Sequence, residues 1–308
     1  MLKFQKQPMM RKVLIALIPV YIHTLWLYGF RALAAMVVTF ACGILTEWVF
    51  ERRKSGKVSE AILVTCALFS IAFPPRTPLW MLAVGIIFAT SMAKGVYGGF
   101  GRNIFNPAIA GRLFVYIAFA TVLNASYLAQ GGFGIGAADV VASATPLGLM
   151  RAGETYPLID LVIGNRPGAM GEGATILIVL AAIYLIATKT ASWKIILSSV
   201  LGGGILSAAL FAAGVKGALP PASLLAGSFL FVTVFMATDP VSAPKKPLSH
   251  YFYGAMIGCL IVTIRTFSAF PEGTSFALLL GNTFASLTDE LVTMASAPKA
   301  SPAAGGVK

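Results

Sequence analysis

Residues 13–50 read VLIALIPVYIHTLWLYGFRALAAMVVTFACGILTEWVF, and before Glu47 the only charge among them is Arg31. The runs on either side of Gly29-Phe30-Arg31 are each about long enough, as helices, to cross a hydrocarbon core of ~30 Å. A helix lying on a water-soluble protein shows a charged or polar face at every turn, and these runs have none. The stretch therefore reads as two membrane-spanning helices joined by a tight turn.

Outward from it the pattern repeats. Apolar runs bounded by charge clusters or prolines predict ten spans, near 13–30, 32–50, 60–73, 79–93, 107–123, 172–188, 193–213, 222–238, 251–267 and 274–294. With 57% apolar and only 11% charged residues, the chain cannot solvate a globular surface. The expected fold class is an all-α polytopic membrane protein of about ten transmembrane helices. Lys3, Lys6, Arg11 and Lys12 before the first run resemble the start of a signal peptide, but another apolar span follows at once, so the first helix is expected to be retained.

The formal net charge of +12 raises nucleic acid as a partner, but the basic residues punctuate apolar spans instead of forming one continuous patch, which excludes it. Cys42, Cys66 and Cys259 form no CxxC pair and lie inside apolar runs, where thiols behave as small hydrophobes.

Placing the N-terminus in the cytoplasm puts seventeen of the 23 Lys and Arg residues on that side and six outside. This bias predicts that both termini are cytoplasmic. It divides the chain into an N-terminal segment (1–12), a first transmembrane set (13–123), a long extracytoplasmic loop (124–171), a second set (172–294) and a cytoplasmic tail (295–308). The loop is longer than an ordinary connector, and long loops in compact proteins usually carry function.

Proline-broken spans recur at a nearly constant offset. Pro75 and Pro240 are 165 residues apart, and Pro107 and Pro271 are 164 apart. Two halves of five spans each must run in opposite directions, so the offset predicts two inverted five-helix repeats with interrupted helices. Backbone freed by a break cannot face lipid and has to be buried or line a polar cavity. The segment Gly95-Val-Tyr-Gly-Gly-Phe-Gly-Arg-Asn-Ile-Phe-Asn-Pro107 joins four glycines, two carboxamides and a helix-starting proline. Backbone there can approach a planar or anionic ligand closely; the other reading is a packing loop with asparagine caps.

The blocks GGFGRNIFNPAIAGR (98–112) and FMATDPVSAP (235–244), with FPPRTPLW (73–80), IGNRPGAMGE (163–172) and FPEGTSFALLLGN (270–282), resemble the B subunit of sodium-translocating NADH:quinone reductases and the related D subunit of Rnf complexes. The resemblance runs from about Lys57 to Asp289. It implies a subunit of an ion-translocating oxidoreductase in the bacterial inner membrane, working with a periplasm-facing FMN subunit and other partners. The blocks are shared by both types of complex.

The resemblance also implies covalent FMN, linked through its phosphate to a threonine of an Asp-x-x-Ser-Gly-Ala-Thr type segment by a separate flavin transferase. Here the segment is Asp139-Val-Val-Ala142-Ser143-Ala144-Thr145. Asp139, Ala144 and Thr145 match, whereas Ala142 replaces the usual serine and Ser143 the frequent glycine. Thr145 is the implied attachment site, in a loop a transferase can reach.

A second, noncovalent flavin, riboflavin, is implied within the bundle at Asn103 and Asn106, with Asp239 opposite. Carboxamides offer both donor and acceptor to a flavin edge, while Asp239 serves equally well as a helix cap. The resemblance links the stretch around Gly43 to quinone and the acids at Glu47 and Asp289 to cation uptake. An ionisable group within a span normally marks an ion path, unless it lies near enough to the helix end to reach water. The glycine cluster has no strand before it, so the NADH end of such a complex falls to other subunits. Two rival readings remain, a channel or secondary transporter without redox chemistry, and a scaffold that only anchors redox partners.

Overall fold

The computed structural model describes residues 3–52, 54, 56–127, 145–164, 166–215, 217–268 and 273–296. In chain order these form β1 (Lys3–Gln5), α1 (Pro8–Tyr28), α2 (Phe30–Glu51), β2 (Lys57–Ser59), α3 (Ala61–Ile71), and α4 (Leu79–Thr90), which continues as a π-helical turn, Ser91–Gly95. Then follow α5 (Pro107–Ala118), α6 (Ala120–Asn124), α7 (Pro146–Ala152), α8 (Leu158–Ile163), α9 (Thr175–Ala187), α10 (Trp193–Ala212), α11 (Pro220–Leu225), α12 (Phe229–Phe231) with a second π-helical turn at Val232–Met236, α13 (Ser249–Phe267) and α14 (Thr274–Ser296).

Helix stands at every predicted span. Among the described residues Pro8–Tyr28, Phe30–Glu51 and Trp193–Ala212 are long and apolar enough to cross a membrane; Ala61–Ile71, Leu79–Gly95, Pro107–Ala118 and Thr175–Ala187 are apolar but shorter. The expectation of an all-α chain needs one correction. β1 and β2 pair in parallel, Phe4 opposite Val58 and Gln5 opposite Ser59, because the extended residues before α1 pass alongside those after α2 and exchange the backbone hydrogen bonds that neither can make alone.

The turn between the first two helices rests on Gly29, at φ 55 and ψ −137, a conformation that a side chain would strain. Ile15, Ile18, Ile22 and Trp26 of α1 are all more than half exposed and recur at helical spacing, so this face suits lipid and not water.

Small residues set a close approach between α10 and α13. Gly254 and Gly258 of α13, four apart, face Ile195, Ser198, Ser199 and Gly203 of α10. A methyl group on Gly258 would lie 2.1 Å from the Ser199 carbonyl oxygen, and one on Gly254 2.5 Å from that of Ile195. This is the small-xxx-small contact by which helices associate without a hydrophobic driving force.

The break after α3 is satisfied from within the protein. Gly171 N–H donates to the Ile71 carbonyl at 2.7 Å and Met170 N–H to that of Phe73 at 3.0 Å. The Arg31 guanidinium donates to the carbonyls of Pro75 at 3.1 Å and Thr77 at 2.7 Å. Residues of the IGNRPGAMGE block thus close a helix end a hundred residues earlier in the chain. Within the span expected as one outer loop, α7 and α8 pack on α11 through Leu147, Met150, Leu161, Ala222 and Ala226.

Candidate functional site

Five segments converge on one partly open cavity of about 60 Å³. Met9, Met10 and Val13 come from α1, and Ala61, Val64, Thr65 and Leu68 from α3. Lys94, Phe100, Asn103 and Asn106 come from the π turn and the glycine cluster, and Leu185 from α9. Val234, Phe235, Thr238 and Asp239 come from the second broken helix. Asn103, Asn106 and Asp239, the residues the resemblance implies for riboflavin, all line this cavity.

Their hydrogen bonds separate their roles. Asn106 is the N-cap of α5: its Oδ1 accepts from Ala108 N–H at 3.0 Å and Ile109 N–H at 3.4 Å, supplying partners for the first helical donors. Its own N–H donates to Asn282 Oδ1 at 3.1 Å, and its amide donates to the Met236 carbonyl at 3.4 Å. Asn103 Nδ2 donates to the Phe105 carbonyl at 3.0 Å. Asp239 accepts from Val241 N–H at 3.1 Å and from the Ser242 hydroxyl at 3.0 Å, a turn cap that also lines the cavity. For Asp239 the cap and cavity readings are compatible.

Glu47 lies on the same side of the bundle, with a partner that sequence reasoning misses. Lys94 Nζ stands 2.6 Å from Glu47 Oε2, with side chains only 4% exposed on each. Lys94 also donates to Ser59 Oγ at 2.8 Å, and Ser59 donates to Glu47 Oε1 through its hydroxyl at 2.5 Å and its N–H at 3.0 Å. The sequence count places Lys94 with the cytoplasmic-side charges; the structure buries it. The π turn Ser91–Gly95 shifts the helix by a residue, with Val96 N–H reaching back to the Ser91 carbonyl at 2.9 Å, and Lys94 within it points inward. Arg112, counted on the same side, is likewise fully buried and 3.3 Å from Glu172. The signal for the first pair is an acid within the second predicted span and a lysine just after the fourth.

At the rim, Arg11 and Gln7 meet Glu60 in the turn before α3. The Arg11 guanidinium donates at 2.9 Å and Gln7 N–H at 2.6 Å, and together they hold the Glu60 carboxyl below its ordinary range, the guanidinium bond contributing most.

Asn282 also escapes sequence reasoning, although it ends the FPEGTSFALLLGN block. Its Nδ2 donates to the Tyr253 hydroxyl at 2.8 Å and the Ser242 carbonyl at 3.4 Å. The available signal is one carboxamide within an apolar helix.

The remaining expected residues stand apart. Asp289 accepts from Lys245 N–H at 2.7 Å and Lys246 N–H at 3.0 Å, fixing the loop that follows the second broken helix. Gly43 lies where α2 crosses α3 and α4; a methyl group there would be 2.4 Å from Cys66 Sγ, so its place is one of close packing. Thr145 is the N-cap of α7, half-buried, its Oγ accepting from Gly148 N–H at 3.3 Å. Asp139, Ser143, Ala144 and Pro271 fall outside the described residues.

The residue types around the cavity fit a planar heteroaromatic ligand, with Phe100, Phe235 and aliphatic walls beside a few directed polar groups. The volume is smaller than ligand pockets of roughly 300–1,000 Å³, and flexible Met9 and Met10 are among its walls. Thr145 fits a phosphoester as well, since an ester oxygen keeps a lone pair for Gly148.

Among known proteins, the chain is 35% identical over 267 residues to the B subunit of the Na(+)-translocating NADH-quinone reductase of Chromohalobacter salexigens, covering 84% of this chain and 65% of that one. It is 36% identical over 268 residues to the corresponding protein of Azotobacter vinelandii, covering 84% and 66%, and 35% identical over 279 residues to that of Pseudomonas aeruginosa, covering 86% and 67%. It thus spans about two thirds of the length of these relatives. The model of the NQR2, RnfD, RnfE family matches residues 3–297, and the chain belongs to that family.

Proposed function

We propose that this chain is the flavin-carrying membrane subunit of an Nqr- or Rnf-type ion-translocating oxidoreductase, with FMN esterified to Thr145, riboflavin in the Asn103–Asn106–Asp239 cavity, and electron transfer coupled to Na+ or H+ transport. In this reading ten spans form two inverted repeats in the bacterial inner membrane, with both termini cytoplasmic and the Thr145 segment outside. Partner subunits supply the donor and acceptor ends, and a flavin transferase matures Thr145.

The observation that carries the reading is the meeting of the two broken helices at one cavity. Asn103 and Asn106 come from the first half, Asp239 from the second, and buried Lys94 lies beside them. When bound, the flavins supply the one-electron chemistry. The protein's own residues do the rest. Asn106 and Asn282 fix the cavity edge, the apolar wall excludes water, and Asn103 offers a carboxamide to a ring edge. Glu47 is the candidate for an ion path and Gly43 marks the stretch linked to quinone.

Denaturing gels of protein coexpressed with the transferase test the reading. In-gel flavin fluorescence that disappears in Thr145→Ala supports it. A non-fluorescent wild type favours the rival transporter without redox chemistry, an architecture to which broken helices also belong.

A further inference from the structure

Of the charged groups that reach the cavity, Lys94 is held in two directions. An ammonium has three donors. Two are used, on Glu47 Oε2 at 2.6 Å and Ser59 Oγ at 2.8 Å. The same Nζ lies 5.9 Å from the centre of the Phe100 ring, and Lys94 itself forms part of the cavity wall. Its four-carbon stem springs from within the π turn Ser91–Gly95, just before the glycine cluster, and its rotatable bonds let the head reorient.

We infer that Lys94 is the counter-charge of the cavity: its ammonium is shared between the Glu47–Ser59 pair and the cavity, and shifts toward a ligand that becomes negatively charged. The inference rests on the cavity being a flavin site. An electron delivered by a flavoprotein-class donor adds one negative charge to the ligand, and no protein bond forms or breaks. Lys94 meets that charge in a low-dielectric setting, where a cation acts more strongly than in water. Glu47 then keeps only Ser59 as a partner, and its carboxylate has to be neutralised by one cation, Na+ or H+, from the aqueous phase. The arrangement joins reduction to cation uptake by reciprocal linkage, since whatever draws Lys94 away from Glu47 favours the cation, and the cation in turn favours reduction.

The test is spectroelectrochemical titration of the noncovalent flavin in the intact purified complex, for the wild type, Lys94→Arg, Lys94→Gln and the double variant Glu47→Gln/Lys94→Gln. Lys94→Gln should lower the ratio of reduced to oxidised flavin at a fixed potential at least tenfold, a 59 mV downward shift for one electron. Lys94→Arg keeps the charge and should change the ratio less than threefold. The single variant leaves Glu47 buried without a counter-charge and can fail to assemble; the double variant removes both charges and should show the same downward shift. A double variant that holds its flavin at the wild-type potential overturns the inference while leaving the flavin site intact. A wild-type complex that releases no noncovalent flavin on acid extraction overturns the site reading beneath it.

Discussion

Asn106 N–H donates to Asn282 Oδ1 at 3.1 Å across 176 residues of sequence. This bond joins the start of α5 to the middle of α14, and Asn282 passes it on to Tyr253 at 2.8 Å. Both asparagines are at most 5% exposed, so neither has water as an alternative partner.

Asn282→Leu should therefore leave the Asn106 N–H and the Tyr253 hydroxyl buried without that partner. The expected cost is about 1–3 kcal/mol, read as a lower thermal unfolding midpoint in detergent. If the cavity holds a noncovalent flavin, its content should fall as well. An unchanged midpoint would show that the link carries no stability.

The α10–α13 contact makes Gly258 behave oppositely to Gly204, a glycine of α10 that faces α11 instead. Gly258→Ala forces a methyl group to 2.1 Å from the Ser199 backbone oxygen and should destabilise by about 1–3 kcal/mol. At Gly204 the added methyl group would meet only Leu224 at 3.5 Å, ordinary contact, so Gly204→Ala should be neutral or stabilise by up to about 1 kcal/mol through helix propensity. Equal midpoints for the two variants would contradict the packing.

Glu60 gives a pH dependence of known sign. Arg11 holds its carboxyl below the ordinary range in the folded chain. Its contribution is therefore fully present above the unfolded-state value of about 4.3 and is lost as pH falls through the lower folded-state value. Unfolding midpoints measured from pH 6 downward should drop less steeply in Glu60→Gln than in the wild type. Parallel curves would remove the Arg11–Glu60 contribution.

Much of the architecture is legible in the sequence because it depends on local composition. Apolar runs mark the helices, and Pro107 and Asp239-Pro240 mark breaks that the structure retains. The carboxamides at Asn103 and Asn106 stand out against apolar surroundings, and they do reach one cavity with Asp239. What cannot be read is partnership at a distance. Lys94 and Arg112 count as ordinary topology charges because a sequence shows a cation but not the carboxylate 47 or 60 residues away that buries it. The capping of α5 by Asn106 is legible as a possibility, whereas its bond to Asn282 needs the two halves brought together. The β1–β2 ladder escapes for the same reason, since three-residue strands have no periodicity to detect.

Mass spectrometry of the Thr145 peptide, recovered from functioning complex, tests the central claim most directly. The peptide should carry FMN through a phosphoester on Thr145, and the adduct should be absent from Thr145→Ala. A wild-type peptide with the mass of its unmodified residues would contradict the redox account and leave ion permeation as the better explanation of the broken helices.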